Sequence, residues 1–78
     1  MFMDTEMMVE QIKQDFEALA EEHEATAENE HIWALGSTDE VEAEQHEDFA
    51  ADHRRLARMY RRMAEHAATF VNDYEDYE

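Results

Sequence analysis

A single glycine and the absence of proline constrain this chain more than any other feature of its sequence. Gly36 lies near the middle of the 78 residues and is the one position at which the backbone can leave a helix at low cost. Leu35-Gly36 is typical of a helix end, at which we expect the glycine to adopt the left-handed conformation. Ser37 with Glu40 three residues later is typical of a capping box. The sequence therefore predicts two long helices that meet at residues 36–40.

The spacing of apolar residues and one candidate cap indicate how far these helices extend. Asp4 is a candidate N-cap, with Met3 and Met8 placed on either side of it as a hydrophobic staple. We predict an all-α fold in a single domain. Its parts are helix one over about 4–35, a turn at 36–38, helix two over about 38–72 and an acidic tail at 73–78, all within the domain 1–78.

Each predicted helix carries a seam whose residues alternate by three and four, which places them on one side of the helix. The first seam consists of Val9, Ile12, Phe16, Leu19, His23, Thr26, Glu30 and Trp33. The second consists of His46, Phe49, His53, Leu56, Tyr60, Met63, Ala67, Phe70, Tyr74 and Tyr77. Seams of this kind favour antiparallel packing at a shallow angle, so we expect an antiparallel two-helix hairpin.

A turn centred near residues 36 and 37 implies that facing residues have numbers adding to about 74. The expected pairs are Leu19 with Leu56, Phe16 with Tyr60, Ile12 with Met63, and Val9 with Ala67. A second apolar cluster at the turn end would comprise Ile32, Trp33, Leu35, Val41 and Phe49. Met7, Met59 and Val71 widen the apolar stripe beyond what two helices can cover, so we expect a homodimeric four-helix bundle that forms through the methionine-rich and aromatic end.

The charge of the chain indicates the kind of partner it would bind. The sequence has 22 Asp and Glu against 6 Lys and Arg, a formal net charge of -16. Such a chain repels nucleic acid and anionic membranes and is attracted to basic surfaces. We therefore expect a basic surface of another protein as partner, with no direct nucleic-acid binding and no membrane. The same acidity would also suit a structural or assembly protein of a halophile, in which it serves solubility alone.

Several other classes find no support in the sequence. There is no cysteine, and no apolar run approaches the length of a membrane span. Residues 1–10 are acidic where a signal peptide would be basic, so we expect a cytoplasmic protein, in the host cytoplasm if it is phage-encoded. The chain lacks a Gly-rich phosphate loop and a nucleophile elbow, and Ser37 is accounted for as a cap. We predict that it is not an enzyme.

Eight carboxylates form the candidate partner-binding set. They are Glu17, Glu21, Glu24 and Glu28 on helix one, and Glu40, Glu44, Glu47 and Asp48 on helix two. Successive members of the first row lie about 4.5 to 6 Å apart along the axis, against about 3.4 Å for the phosphates of one DNA strand. In size and charge the chain is similar to acidic inhibitors, among them DNA mimics and phage anti-restriction and anti-CRISPR proteins. That resemblance implies an inhibitor that occupies a nucleic-acid-binding site.

Four polar residues interrupt the seams, namely His23, Glu30, His46 and His53. The facing rule places His23 near His53 and Glu30 near His46. Imidazoles and carboxylates that converge from two helices could bind zinc or iron. Hydrogen bonding of the histidines to facing carboxylates or to water accounts for them more simply. We favour hydrogen bonding and predict no tightly held metal and no cofactor.

The tetrad Glu28-Asn29-Glu30-His31 contains a Glu-x-x-His motif. With the expected hairpin, it resembles ferritin-like and encapsulated-ferritin subunits, which dimerise around a di-iron site. In that family the motif lies on the second helix, whereas here it lies on the first. The resemblance leaves a hairpin that binds iron or zinc as the alternative function.

One basic cluster stands out in this acidic chain. It consists of Arg54, Arg55, Arg58, Arg61 and Arg62. In the hairpin these arginines would lie across from helix one, where we expect them to pair with Asp15, Glu17, Glu21 and Glu22. The uncompensated acid would then gather at the turn end, where we expect the partner to bind.

Overall fold

Three helices make up the part of the chain that the structure describes. The computed structural model describes residues 4–75, with side chains as far as residue 72. The helices are α1 (Thr5–Gly36), α2 (Glu40–Glu65) and α3 (Ala67–Glu75). Residues 4–75 contain no strand, so the predicted all-α class is confirmed. The molecule is a flat rod that measures 57 × 21 × 15 Å.

The N-terminus of α1 is capped as the sequence predicts. The Asp4 side chain accepts a hydrogen bond from the Met7 backbone N–H at 2.8 Å, and its own carbonyl accepts the first helical bond, from Met8. Asp4 thereby satisfies one of the N–H groups that a helix leaves unpaired at its start. Met3 of the expected staple lies outside the described residues.

The turn differs from the predicted one. Gly36 is the last residue of α1 and does not have a positive φ, so the expected left-handed glycine is wrong. Ser37 does not cap α2 either, because Asp39 does: its Oδ1 accepts a hydrogen bond from the Val41 N–H at 2.9 Å. Ser37 and Asp39 are both good N-cap residues, and the chain uses the later one. The connection therefore consists of residues 37–39 rather than 36–38.

The predicted second helix is divided in two. α2 ends at Glu65, the His66 backbone leaves helical geometry at φ -104° and ψ 16°, and α3 begins at Ala67. The His66 N–H still bonds to the carbonyls of Arg62 and Met63, at 3.2 Å each. No glycine or proline marks this break in the sequence. Of the predicted tail, residues 73–75 continue α3 and residues 76–78 lie outside the described part.

Helices α1 and α2 pack side by side and run in opposite directions. The rings of Phe16 and Tyr60 stack with centroids 6.1 Å apart, which confirms that predicted pair. Farther toward the turn, His23 meets His53 and His31 meets Glu47. The residue numbers in these pairs add to 76 or 78 rather than 74, because the turn is centred one to two residues later than expected.

Alanine forms the core between the two long helices. The buried residues are Ala20, Ala27 and Ala34 on α1, Ala50, Ala57 and Ala64 on α2, and Ala67 and Val71 on α3. On each long helix the alanines recur every seven residues, which aligns them in one row. On each long helix the alanine row lies beside the predicted seam and not on it. This corrects the prediction that the seam residues form the core. Small side chains allow the backbones to approach closely, so the larger seam residues are left at the edges of the contact.

The alanine rows separate two faces of the rod. In the two long helices each buried alanine is preceded by a larger seam residue, and Ala20, Ala27, Ala50 and Ala57 are followed four positions later by Glu24, His31, Arg54 and Arg61. The preceding and following neighbours lie on opposite sides of the row. Glu24 contacts Arg61 and His31 contacts Glu47, so these residues share what we call the charged face. The opposite side is the apolar face. It carries Ile12, Leu19, Thr26 and Trp33 from α1, Phe49, Leu56 and Met63 from α2, and Phe70 from α3.

Replacement of Gly36 by alanine tests the revised turn. A Cβ added at Gly36 meets nothing within 4 Å, and the residue is helical. We expect Gly36→Ala to raise the free energy of unfolding by about 0.4–1 kcal/mol, because alanine restricts the unfolded chain. Urea unfolding followed by circular dichroism measures this. A loss of stability of that size would instead indicate that Gly36 adopts the left-handed conformation.

Enlargement of a core alanine tests the close contact between helices. Ala57 is 2% exposed, so Ala57→Leu should lower the free energy of unfolding by about 1–3 kcal/mol through overpacking. The matched control is Ala25→Leu on the exposed side of α1, which we expect to change stability by no more than about 0.5 kcal/mol. Equal effects at the two positions would contradict the alanine core.

Candidate functional site

Two histidines contact each other across the interface between α1 and α2. His23 Nδ1 and His53 Nδ1 lie 2.9 Å apart, and the His23 ring also stacks on Tyr60 with centroids 5.5 Å apart and planes 8° apart. At this distance one nitrogen donates and the other accepts, so at least one of the two imidazoles is neutral. Both histidines are half-buried. The contact fixes the register of the helices at their centre.

A second polar contact lies nearer the turn. His46 Nδ1 is 2.5 Å from Glu30 Oε2, and its Nε2 is 3.9 Å from Glu42 on the same helix. The ring of His46 stacks on Trp33 with centroids 5.7 Å apart. These contacts hold His46 between a carboxylate on each helix and an indole ring.

The four candidate metal ligands therefore form two separate pairs. His23 lies with His53 and Glu30 with His46, which confirms both predicted pairings. Within the described residues, no group of three or more His, Asp and Glu side chains is placed to hold a metal ion. The Glu-x-x-His motif is not assembled as a site either, because His31 Nδ1 bonds to Glu47 Oε1 at 2.6 Å.

The eight predicted partner-binding carboxylates occur in different settings. Glu24 is bound by Arg61, whose Nε and Nη2 both lie 2.7 Å from the same oxygen, and Glu47 is bound by His31. Glu17 is half-buried. The other five are exposed: Glu21, Glu28, Glu40, Glu44 and Asp48. Together the set extends over about 30 Å of the rod, from the level of Glu17 to the turn.

The arginine cluster (Arg54, Arg55, Arg58, Arg61 and Arg62) does not pair as expected. Across the helices only Arg61 forms an ion pair among the described residues, and its partner is Glu24 rather than Asp15, Glu17, Glu21 or Glu22. Arg55 lies 3.7 Å from Asp52 on its own helix. The reason is geometric, since positions 55, 58 and 62 lie on the side of α2 that faces away from α1. There they line a groove of about 230 Å³ together with Met59.

Charge is distributed unevenly along the rod. Residues 21–53, which form the half next to the turn, contain twelve carboxylates and no Lys or Arg. Residues 4–20 and 54–72, which form the other half, contain six carboxylates and six basic residues. We call the first half the acidic turn end. No Lys or Arg within residues 21–53 compensates the negative charge of these carboxylates.

The acidic turn end also exposes large apolar side chains, which sequence analysis assigned to a small cluster. Ile32, Leu35 and Val41 are 56%, 73% and 64% exposed. A groove of about 420 Å³ lies beside them, lined by Ile32, Trp33, Gly36, Ser37, Thr38 and Glu42. The turn end therefore combines apolar contact area with surrounding carboxylates. No signal in the sequence distinguishes these exposed residues from a buried cluster.

One property of the helices and three comparisons with known proteins bear on function. None of the helices in residues 4–75 is long and apolar enough to cross a membrane. Comparison of the chain with protein-family models, with curated proteins and with solved structures finds no match. Function is therefore inferred from the residues of the chain itself.

The histidine contact is open to a double-mutant cycle. His53→Leu should leave the half-buried His23 Nδ1 without its partner, whereas the double variant with His23→Leu removes both groups. We expect the two changes to be non-additive by about 0.5–1.5 kcal/mol in the free energy of unfolding, measured in urea. His23→Leu with the exposed His66→Leu is the matched control and should be additive. Additivity in both cycles would show that the contact contributes nothing.

Proposed function

We propose that this protein is a small, non-enzymatic binding protein whose acidic turn end occupies a basic, nucleic-acid-binding surface of another protein and inhibits its use. The observation that carries the proposal is the segregation of charge: twelve carboxylates without one Lys or Arg in the half of the rod next to the turn. Segregated charge creates a field that steers a basic partner to one end of the molecule.

The mechanism we propose is occlusion. Carboxylates of the acidic turn end would take the positions that phosphates otherwise hold against Lys and Arg side chains of the partner. The carboxylates project from two helices that pack through alanine, so the frame that carries them is stiff. A preorganised surface loses less conformational entropy on binding than a flexible acidic segment would.

The residues of the candidate surface would contribute unequally. Glu28, Glu40, Glu44 and Asp48 are exposed near the turn and have no ion-pair partner in the described part of the chain. Glu24 and Glu47 would first have to exchange Arg61 and His31 for groups of the partner. Glu17 and Glu21 lie at the level of the arginine cluster, where the field is weaker. The strongest contacts should therefore come from the exposed, unpaired carboxylates near the turn, Glu28, Glu40, Glu44 and Asp48.

We propose further that the helical hairpin works as a homodimeric four-helix bundle in the cytoplasm. Support comes from the size of the core. Every buried residue in the described part is Ala or Val, while Trp33, Phe49 and Phe70 on the apolar face are 65%, 54% and 50% exposed. A chain of 78 residues with so small a core usually gains stability from a partner.

A competition assay tests the proposed inhibition. The probe is a sequence-nonspecific DNA-binding domain with a basic groove, bound to a fluorescent 20-base-pair duplex. We expect the protein to displace the duplex, and Glu44→Lys with Asp48→Lys to weaken displacement by about tenfold. The matched control is Glu6→Lys with Glu10→Lys, an equal charge change at exposed positions of the other half, which should have a much smaller effect.

Three outcomes would count against the proposal. Displacement that is unchanged between 50 and 200 mM salt contradicts an electrostatic contact, because screening must weaken it. Equal losses in the two double variants would mean that net charge, and not the turn end, attracts the probe. Absence of displacement at any concentration would leave the acidity as a solubility feature of the kind a halophile needs.

A further inference from the structure

The groove at the turn is lined by groups of three different kinds. Ile32, Trp33 and Gly36 come from the end of α1, residues 37 and 38 from the connection, and Glu42 from the first turn of α2. Its volume of about 420 Å³ is within the roughly 300–1,000 Å³ of sites that bind small ligands. An aromatic ring, an aliphatic side chain and a carboxylate therefore converge on one space that is large enough for a ligand group.

Trp33 provides the groove with a flat aromatic surface. Its ring stacks on the ring of His46, with centroids 5.7 Å apart and planes 26° apart, and the Glu30 carboxylate holds His46 in place. The Trp33 side chain is nevertheless 65% exposed, so much of the indole remains open to solvent. Indole is the aromatic group that binds cations best, and the cation is most often a guanidinium.

Two sources of negative charge adjoin this ring. The first is Glu42, whose Oε1 is 3.9 Å from His46 Nε2 and whose side chain is 56% exposed. The second is the C-terminus of α1, because the last carbonyls of a helix lack intrahelical partners and carry partial negative charge. The last turn of α1 contains no basic residue that would offset this charge. Both sources attract a cation to the groove.

Gly36 keeps the groove open at the end of α1. A Cβ added at this position would meet no atom of the described residues within 4 Å. Ile32, one turn earlier, is 56% exposed and offers an aliphatic surface. Long basic side chains pack their methylene groups on such surfaces and keep the charged group beyond them. The groove thus has a place for the stem of a basic side chain as well as for its charge.

We propose that the groove binds an arginine side chain of the basic partner. This inference rests on the binding function proposed above and names the group that enters the groove. The methylene stem packs on Ile32 and the planar guanidinium lies on Trp33. Its N–H groups donate to the Glu42 carboxylate and to carbonyls at the end of α1, which the five donors of one guanidinium can do together.

Lysine suits the groove less well than arginine. An ammonium is a compact, strongly hydrated charge that neither stacks on a ring nor forms two parallel bonds to one carboxylate. A phosphate is repelled by Glu42 and by the end of α1. The groove also has no counterpart in a nucleic acid, whose phosphates offer charge without an aromatic pocket. It therefore makes the protein selective for a basic surface with an accessible arginine.

Titration with two short peptides tests the site. The probes are acetylated and amidated Ala-Arg-Ala and Ala-Lys-Ala, which have equal charge. Trp33 is the single tryptophan and Gly36 the single glycine of the chain, so indole fluorescence and the glycine amide resonance both report on the groove. We expect the arginine probe to bind about tenfold more tightly than the lysine probe.

Four variants separate the contributions to binding. Glu42→Gln and Gly36→Leu should each weaken the arginine probe about tenfold, the first by loss of charge and the second by filling the groove. Trp33→Leu, followed through the glycine amide, should abolish the preference for arginine over lysine. Glu22→Gln is the matched control, because it removes one charge from the acidic turn end at an exposed position outside the groove. It should leave the affinity nearly unchanged.

The possible results separate the arginine site from the proposed inhibition. Equal affinity for the two probes, or equal losses in Glu42→Gln and Glu22→Gln, would overturn the arginine site. Displacement of the duplex in the competition assay would then still support the inhibition, since its variants at positions 44 and 48 lie outside the groove. Tight binding of the arginine probe without displacement would retain the site and overturn the inhibition.

Discussion

Close contact between alanine rows is the interaction on which the rest of this structure depends. Ala27 and Ala57 are almost fully buried because nothing larger would fit between helices that approach so closely. The same closeness displaces Leu19, Leu56 and the other large seam residues to one edge, where they form the apolar face. It also brings His23 against His53 and Arg61 against Glu24. An interface of larger residues would hold the helices apart and lose these polar contacts.

The carboxylates form a dense acidic surface only because they project from a rigid pair of packed helices. Twelve carboxylates in one half of the rod repel one another, and packed helices hold them at fixed separations despite that repulsion. A flexible chain of the same composition would relax this density by extending. The acidic surface and the alanine contact are therefore parts of one arrangement, in which the contact holds the carboxylates in fixed positions for the basic partner that we propose.

The arginine cluster is neutralised only in part by contacts within the chain. Arg61 neutralises Glu24 within the molecule. Arg55 and Arg62 lie on the outer side of α2, where the chain offers them no carboxylate from α1.

The sequence by itself determined the all-α class, the two long helices, the cap at Asp4 and the pairing of His23 with His53, because these follow from local propensity and the seven-residue period. It did not determine the break at His66. It also determined where charge lies along the rod. Only the tertiary structure decided the roles of Gly36, Ser37 and Asp39, since several residues there are competent to end or start a helix. It likewise decided that Ala20 and Ala50, and not the larger residues beside them, form the core. The physical reason is that helix separation is a property of the packed pair, and neither helix alone reveals which strip its neighbour will cover.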